Sequence, residues 1–385
     1  MQDAAPGNLT NFKMNARAAL RLGGAAVYVL LLSALWAGAA IAAPPSRAEQ
    51  TFEEFWRFFD ENYAFFAEKN IDWKLEYERS RPLVNGRTTD EQLFDVLTTM
   101  VKPLGDRHVI LIRPGAKEFD ARRPSRINAE FGGKGQPGAF GQMVNSTLQA
   151  QGFAPLKFAG PVAGGKPLFS YSSNARTGYL RFTRTWGQTL GGLPLPVTPG
   201  LDTTLETIFR EFAGKDGLVI DVRFNEGGFR QIPFAVAGRL TETRFLGHYH
   251  QNKNGKGHGE FGELIPSFIE PAKGTRFLKR VMLLTNDQTV SGADEFALVM
   301  TQLPNVTLIG ERSNGSFSDR YPYVRPKVLP NGWKIHLSNQ RYFSPDKVNY
   351  EGVGVPVDIE VQNMWADKDG PGDAVLLRAL QELPR

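Results

Sequence analysis

Val281-Met-Leu-Leu-Thr-Asn-Asp-Gln-Thr-Val-Ser291-Gly-Ala-Asp-Glu295 decides how the chain is read. Val281–Thr285 is short and almost continuously apolar, the pattern of a strand covered on both faces. A short polar loop follows, and an apolar helix then runs from Ser291 to Leu303. Ser291 therefore stands at a helix N-terminus, where backbone N–H groups lack partners and the helix dipole is positive. Two roles suit a serine there. Ser-x-x-Asp is an ordinary helix cap; alternatively the hydroxyl is a nucleophile, with the Gly292 N–H placed to receive negative charge.

Working outward, Leu218–Arg223 is a second buried strand, and it enters the turn Asn225-Glu226-Gly227-Gly228. Gly178–Phe182 and Val306–Gly310 read as further strands, with helices expected at Leu201–Phe212 and Phe234–Leu240. Buried strands alternating with helices define a layered α/β core over residues 177–385. Within it, Trp333–Leu337 and Arg341–Phe343 are expected to form a hairpin after the turn Pro330-Asn331-Gly332. Upstream, Phe52, Phe55, Trp56, Phe59, Tyr63 and Phe66 recur every three or four residues, and Thr89 with Gln92 forms a capping box. Residues 48–112 thus read as a small N-terminal helical unit. Residues 113–176 are rich in Gly, Pro, Ala and Arg and read as a connecting segment with some strands. Gly132-Gly133-Lys134-Gly135 lacks both a preceding apolar strand and a Gly-Lys-Ser/Thr ending, which argues against a phosphate loop.

The N-terminus has its own pattern. Lys13, Arg17 and Arg21 precede an apolar run from Leu22 to Ala42 that ends in small residues before Pro44-Pro45. This is the layout of a secretory leader over residues 1–42, with Ala40-Ile41-Ala42 as the cleavage site. The expected location is periplasmic or secreted, and contact with a membrane is expected only if the leader stays uncleaved as an anchor. The leader carries a net +2 of the formal +5 over 385 residues, which leaves too little basic excess for a nucleic-acid partner. The absence of cysteine removes disulfides, thiolate metal sites and a cysteine nucleophile.

Four elements can carry chemistry. The Gly227-Gly228 turn lets backbone N–H groups approach a bound oxygen closely. Ser291 and Gly292 have been described. His108, in Leu104-Gly105-Asp106-Arg107-His108, is one of only five histidines, and an imidazole titrates near neutrality as a general base must. Glu351, in Tyr350-Glu351-Gly352-Val353-Gly354, can orient such a base. A separate reading gathers His248, His250 and His258 near Glu260 as a zinc site, although the lysines of the intervening loop disfavour a cation.

Taken in order, these elements resemble the peptidase family that includes tricorn core domains, C-terminal-processing (tail-specific) peptidases and the retinoid-binding repeats of photoreceptor matrix protein. The shared motifs are Asp106-x-His108, Asp221-x-Arg-x-Asn-x-Gly-Gly228, Thr289-x-Ser-Gly-Ala-x-Glu295 and Glu351-Gly-x-Gly-Val-x-x-Asp358, and the likeness covers about residues 50–362. The resemblance implies a crotonase/Clp-peptidase-like layered α/β core and peptide-bond hydrolysis. It implies Ser291 as nucleophile, an oxyanion hole from Gly292 with Gly227 or Gly228, a peptide or protein substrate, and neither metal nor cofactor. One branch of the family uses a lysine beyond the serine, but no lysine lies between Val281 and Pro326. The tricorn branch uses a histidine and a distant glutamate, which are His108 and Glu351 here. That branch has a serine just before the histidine where this chain has Arg107, so Asp106 is the other candidate to orient His108. The usual PDZ-like module is missing. A ligand-binding member without catalysis, and a hydrolase acting on esters, are the competing expectations.

Overall fold

Alternation along the central strands explains the layers. In the computed structural model, which describes residues 44–384 except 116, 117, 133–135, 191, 192, 196, 197 and 324, Gly217–Asp221 lies mid-sheet. It runs parallel to Thr177–Arg181 on one side and Arg280–Thr285 on the other. Val306–Gly310 and then Ile359–Glu360 extend the sheet in parallel, and Lys166–Ser173 and Lys157–Ala163 complete the opposite edge antiparallel. Leu218, Ile220, Val281 and Leu283 pack with the helices Leu201–Phe212, Gln231–Gly238 and Gly292–Met300. Val219, Met282 and Leu284 pack on the other face with Arg126–Phe131, Gln136–Ala150 and Ala374–Glu382. A sheet covered on both faces needs apolar residues at every position, which is why these strands show no polar alternation. The fold is thus the mixed α/β class expected.

Residues 113–176 do more than connect. They supply two helices to one face of the sheet and two of its strands. Phe140, Met143, Val144 and Leu148 have helical spacing and are buried, but Gly138 and Gly141 interrupt the helical composition.

The N-terminal helices Arg47–Asn62, Trp73–Ser80 and Asp90–Val101 start at sound caps: Ser46 pairs reciprocally with Glu49, and Thr89 with Gln92. Their buried faces meet Leu329, Trp333, Ile335 and Leu337, so this unit shares a core with residues far along the chain. The expected hairpin is corrected here. Lys334–Ser338 pairs with Ile110–Ile112 and, across the Pro330-Asn331-Gly332 turn, with Lys327–Val328. Gln340–Phe343 instead pairs with Phe245–Asn252 in another sheet. Only Asn339 separates the two segments, too little to reverse the chain, so the backbone runs on from one sheet into the next. Among the described residues no helix is long and apolar enough to cross a membrane. The leader assigned to residues 1–42 lies outside the described residues.

Candidate active site

The loops that leave Gly217–Asp221 and Arg280–Thr285 meet at the carboxyl end of the sheet. Asn225 accepts at its backbone carbonyl from the Val290 N–H (2.9 Å), the residue before Ser291. Its buried side chain donates to the Phe182 carbonyl (2.9 Å) and accepts from the Gly227 N–H (2.9 Å). One asparagine therefore fixes the glycine turn and the Ser291 loop together.

Ser291 has φ +57° and ψ −119°, outside the extended geometry of an ordinary N-cap. For a residue with a Cβ this is strained backbone, the sort retained where function requires it. Its N–H donates to Asp294 Oδ2 (2.8 Å), and Asp294 also accepts from the Gly315 (2.7 Å) and Ser316 (3.0 Å) N–H groups. Among the described residues the Ser291 hydroxyl makes no hydrogen bond, so of the two roles open to it the plain cap is not the one the geometry adopts. Burial pushes Asp294 up to about 6 against these three N–H bonds.

Gly227 and Gly228 have φ of +78° and +133°, conformations that suit glycine alone. A Cβ on Gly227 would sit 2.5 Å from the Val290 carbonyl oxygen and 2.7 Å from the Ser291 Cβ. One on Gly292 would sit 3.0 Å from the Gly228 carbonyl oxygen. The glycines thus allow the two loops to touch at the serine. The N–H groups of Gly228 and Gly292 have no acceptor among the described residues, whereas that of Gly227 is taken by Asn225. Of the two glycines proposed to pair with Gly292, Gly228 is the one with a free donor. Gly227→Ala is expected to displace the Ser291 loop and lower reaction of the serine with a fluorophosphonate probe by about 100-fold, on the scale of losing one oxyanion donor. Probe kinetics on a variant with native circular dichroism would check this.

His108 is buried, and desolvation lowers its pKa to about 4 against the opposing pull of Asp106. Its Nδ1 has no partner. Asp106 spends one oxygen on the His108 backbone N–H (2.8 Å) and the other on the Tyr63 hydroxyl (3.0 Å). Arg107 donates to the Gln288 side chain (3.0 Å), which ties the histidine's loop to the loop that carries Ser291. Among the described residues no hydrogen bond joins the Ser291 hydroxyl to the imidazole. Glu351 does not bond His108 either: it accepts from Lys69 Nζ (3.3 Å) and from the Phe317 N–H (2.9 Å). Asp294 and Glu351 are therefore held by amides of one segment, Gly315–Phe317. Burial raises Glu351 to about 8, with Lys69 opposing.

The two shifts have opposite consequences for stability. Unfolded histidine titrates near 6.5, so the stability linked to neutral His108 is complete above that pH and is lost as pH falls toward 4. The stability linked to protonated Glu351 is complete below 4.5 and is lost as pH rises toward 8. His108→Asn should flatten the acid limb of a plot of Tm against pH, and Glu351→Gln the alkaline limb. Thermal melts from pH 4 to 8.5 would test both, and unchanged limbs would contradict the assignment.

The three histidines of the zinc reading do not converge. His248 is fully buried against Glu295 (2.7 Å), His250 faces the Ser267 hydroxyl (3.3 Å), and His258 pairs with Asp60 (2.9 Å). Among the described residues no cluster suits a metal, and the zinc reading is not realised. Several residues at the site escaped the sequence: Lys69, Gln288, Trp186 against Gly228, and Thr185. Their partners lie far off along the chain, which leaves no local signal. Asp294 was visible as Ser-x-x-Asp, but only the fold shows it holding the Gly315–Ser316 amides.

Comparison with known proteins fits this arrangement. Residues 176–361 match the model of peptidase family S41, and residues 44–102 that of the tricorn protease C1 domain. A tricorn protease homolog from Saccharolobus solfataricus is 30% identical over 159 residues, which is 40% of this chain and 12% of that much longer relative. The crystal structure of a candidate peptidase from Parabacteroides merdae ATCC 43184 superimposes with a TM-score of 0.72 at 28% identity, covering 87% of this chain and 96% of that one. Mature CPAF in complex with lactacystin gives 0.60 at 14% identity, with 87% and 97% covered, a likeness of fold. The chain thus carries a family S41 peptidase region preceded by a segment like the tricorn C1 domain. The resemblance to the tricorn-core and C-terminal-processing peptidases is borne out.

Proposed function

We propose that the chain is an exported serine peptidase that cleaves peptide or protein substrates through an acyl-enzyme on Ser291. The observation that carries the reading is the Ser291 hydroxyl, free of hydrogen bonds on a strained elbow beside the unpaired N–H groups of Gly228 and Gly292. Ser291 Oγ attacks the substrate carbonyl carbon as His108 takes its proton. The developing oxyanion is held by Gly228 and Gly292. Collapse of the intermediate breaks the C–N bond, and His108 returns the proton to the leaving amine. Water, deprotonated by His108, then releases the acyl group and restores the serine. Since His108 is neutral above about pH 4, the base is available across the neutral range. Loose Ser–His geometry in a free enzyme is common and tightens with substrate. Glu351 acts on the site through the Gly315–Phe317 segment and Lys69. The leader at residues 1–42 would deliver the protein outside the cytoplasm. Incubation of the full chain with denatured protein, read by mass spectrometry, should yield new termini that are absent with Ser291→Ala. Equal products from both proteins would sink the proposal.

A further inference from the structure

Thr185 lies just past the strand Thr177–Arg181, and its hydroxyl reaches the place where the two glycine donors meet. Its backbone grips the turn on both sides: its N–H donates to the Gly227 carbonyl (2.7 Å) and its carbonyl accepts from the Phe229 N–H (2.9 Å). The side chain is wholly buried. A Cβ built on Gly292 would lie 2.7 Å from Thr185 Oγ1, and one built on Gly228 would lie 2.9 Å away. The hydroxyl is thus wedged between the two residues whose N–H groups are unpaired, and it too has no hydrogen-bond partner. Buried hydroxyls almost always find a partner, and one left without calls for an explanation. Here a buried hydroxyl donor and two amide donors, one on buried Gly292 and one on solvent-facing Gly228, converge without partners among the described residues. Such a set is complete only when an oxygen bearing negative charge arrives.

We infer that Thr185 is a third donor of the oxyanion hole: its hydroxyl, orphaned in the free protein, donates to the tetrahedral oxygen alongside the N–H groups of Gly228 and Gly292. The inference rests on the serine-peptidase reading of Ser291. A donor that is already in place needs no reorganisation as charge develops, so it favours the transition state over the bound ground state. The resting enzyme bears the cost of the unpaired group, so removing it should stabilise the free protein while slowing the reaction.

The test is phosphonylation kinetics of the full chain with a fluorophosphonate probe, in which Ser291 Oγ attacks phosphorus and fluoride leaves while the phosphoryl oxygen occupies the hole. Thr185→Val keeps the shape and loses the hydroxyl, and its limiting rate should fall about 100-fold with the half-saturating probe concentration unchanged. Its Tm should equal or exceed that of the wild type. Thr185→Ser, which keeps the hydroxyl, should label within a few-fold of the wild-type rate. A folded Thr185→Val that labels as fast as wild type, or a Thr185→Ser as slow as Thr185→Val, would reduce Thr185 to a spacer and overturn the inference. If Thr185→Val fails to fold, Thr185→Ala, which also lacks the hydroxyl, takes its place in the comparison with Thr185→Ser. A wild type that does not label, like a Ser291→Ala control, would remove the serine-peptidase reading as well.

Discussion

Ser291→Ala is expected to lower peptide turnover by about a million-fold, the scale on which serine hydrolases lose a nucleophile, and to leave the fold as stable as before. The two parts follow from one geometry. The hydroxyl makes no hydrogen bond in the free protein, so its removal deletes no contact that supports the fold. The Asp294 carboxylate holds the backbone N–H rather than the side chain, and alanine keeps that N–H. Stability should therefore change by no more than about 0.5 kcal/mol. Ser291→Gly extends the argument: at φ +57° the Cβ itself is the source of strain, so glycine should raise stability by about 1 kcal/mol while abolishing turnover. Kinetics and urea titration on the same samples would check both. A serine whose loss cost several kcal/mol would be a structural cap after all.

Arg223→Met should have the largest effect on the fold, destabilising it by about 3–5 kcal/mol. Arg223 is completely buried and binds Asp221 through two nitrogens (2.9 and 2.7 Å) and Asp373 through two (2.8 and 2.6 Å), with the Asn363 amide oxygen at 2.8 Å. Burial raises the Asp221 pKa, but the neighbouring guanidinium overrides this and holds it below the usual carboxylate value. Methionine would fill the space yet leave two interior carboxylates without the guanidinium that pairs them, with only Arg181 acting on Asp221. Since Asp221 ends the strand that leads into Gly227-Gly228, that glycine turn should loosen too. The urea midpoint should fall markedly; a shift worth under about 1 kcal/mol would show that the network contributes little.

Much of this was legible in the sequence, for reasons that differ by element. The parallel strands could be read because a sheet covered on both faces demands runs such as Leu218–Ile220 and Val281–Leu284. The turn and elbow could be read only because four motifs stand in the order of one peptidase family; alone, a glycine turn and a helix-capping serine have commoner uses. The hairpin at 333–343 was misread because apolar alternation identifies strands but not their partners; pairing was decided by Asn339 alone separating them. The connecting segment was misread because its glycines hide a helix that tertiary packing stabilises. The site's supports were hidden for a third reason. Thr185, Lys69 and the Arg107–Gln288 link act across long stretches of chain, and no local pattern marks a residue whose partner is a distant backbone.

Labelling of the full chain with a fluorophosphonate probe, beside Ser291→Ala and His108→Ala, tests the central claim most directly, since it needs an activated serine and no knowledge of the substrate. The account predicts one label per chain on Ser291 in the wild type, none in Ser291→Ala and little in His108→Ala. A well-folded wild type that takes up no label, or a His108→Ala that labels as readily as wild type, would contradict it.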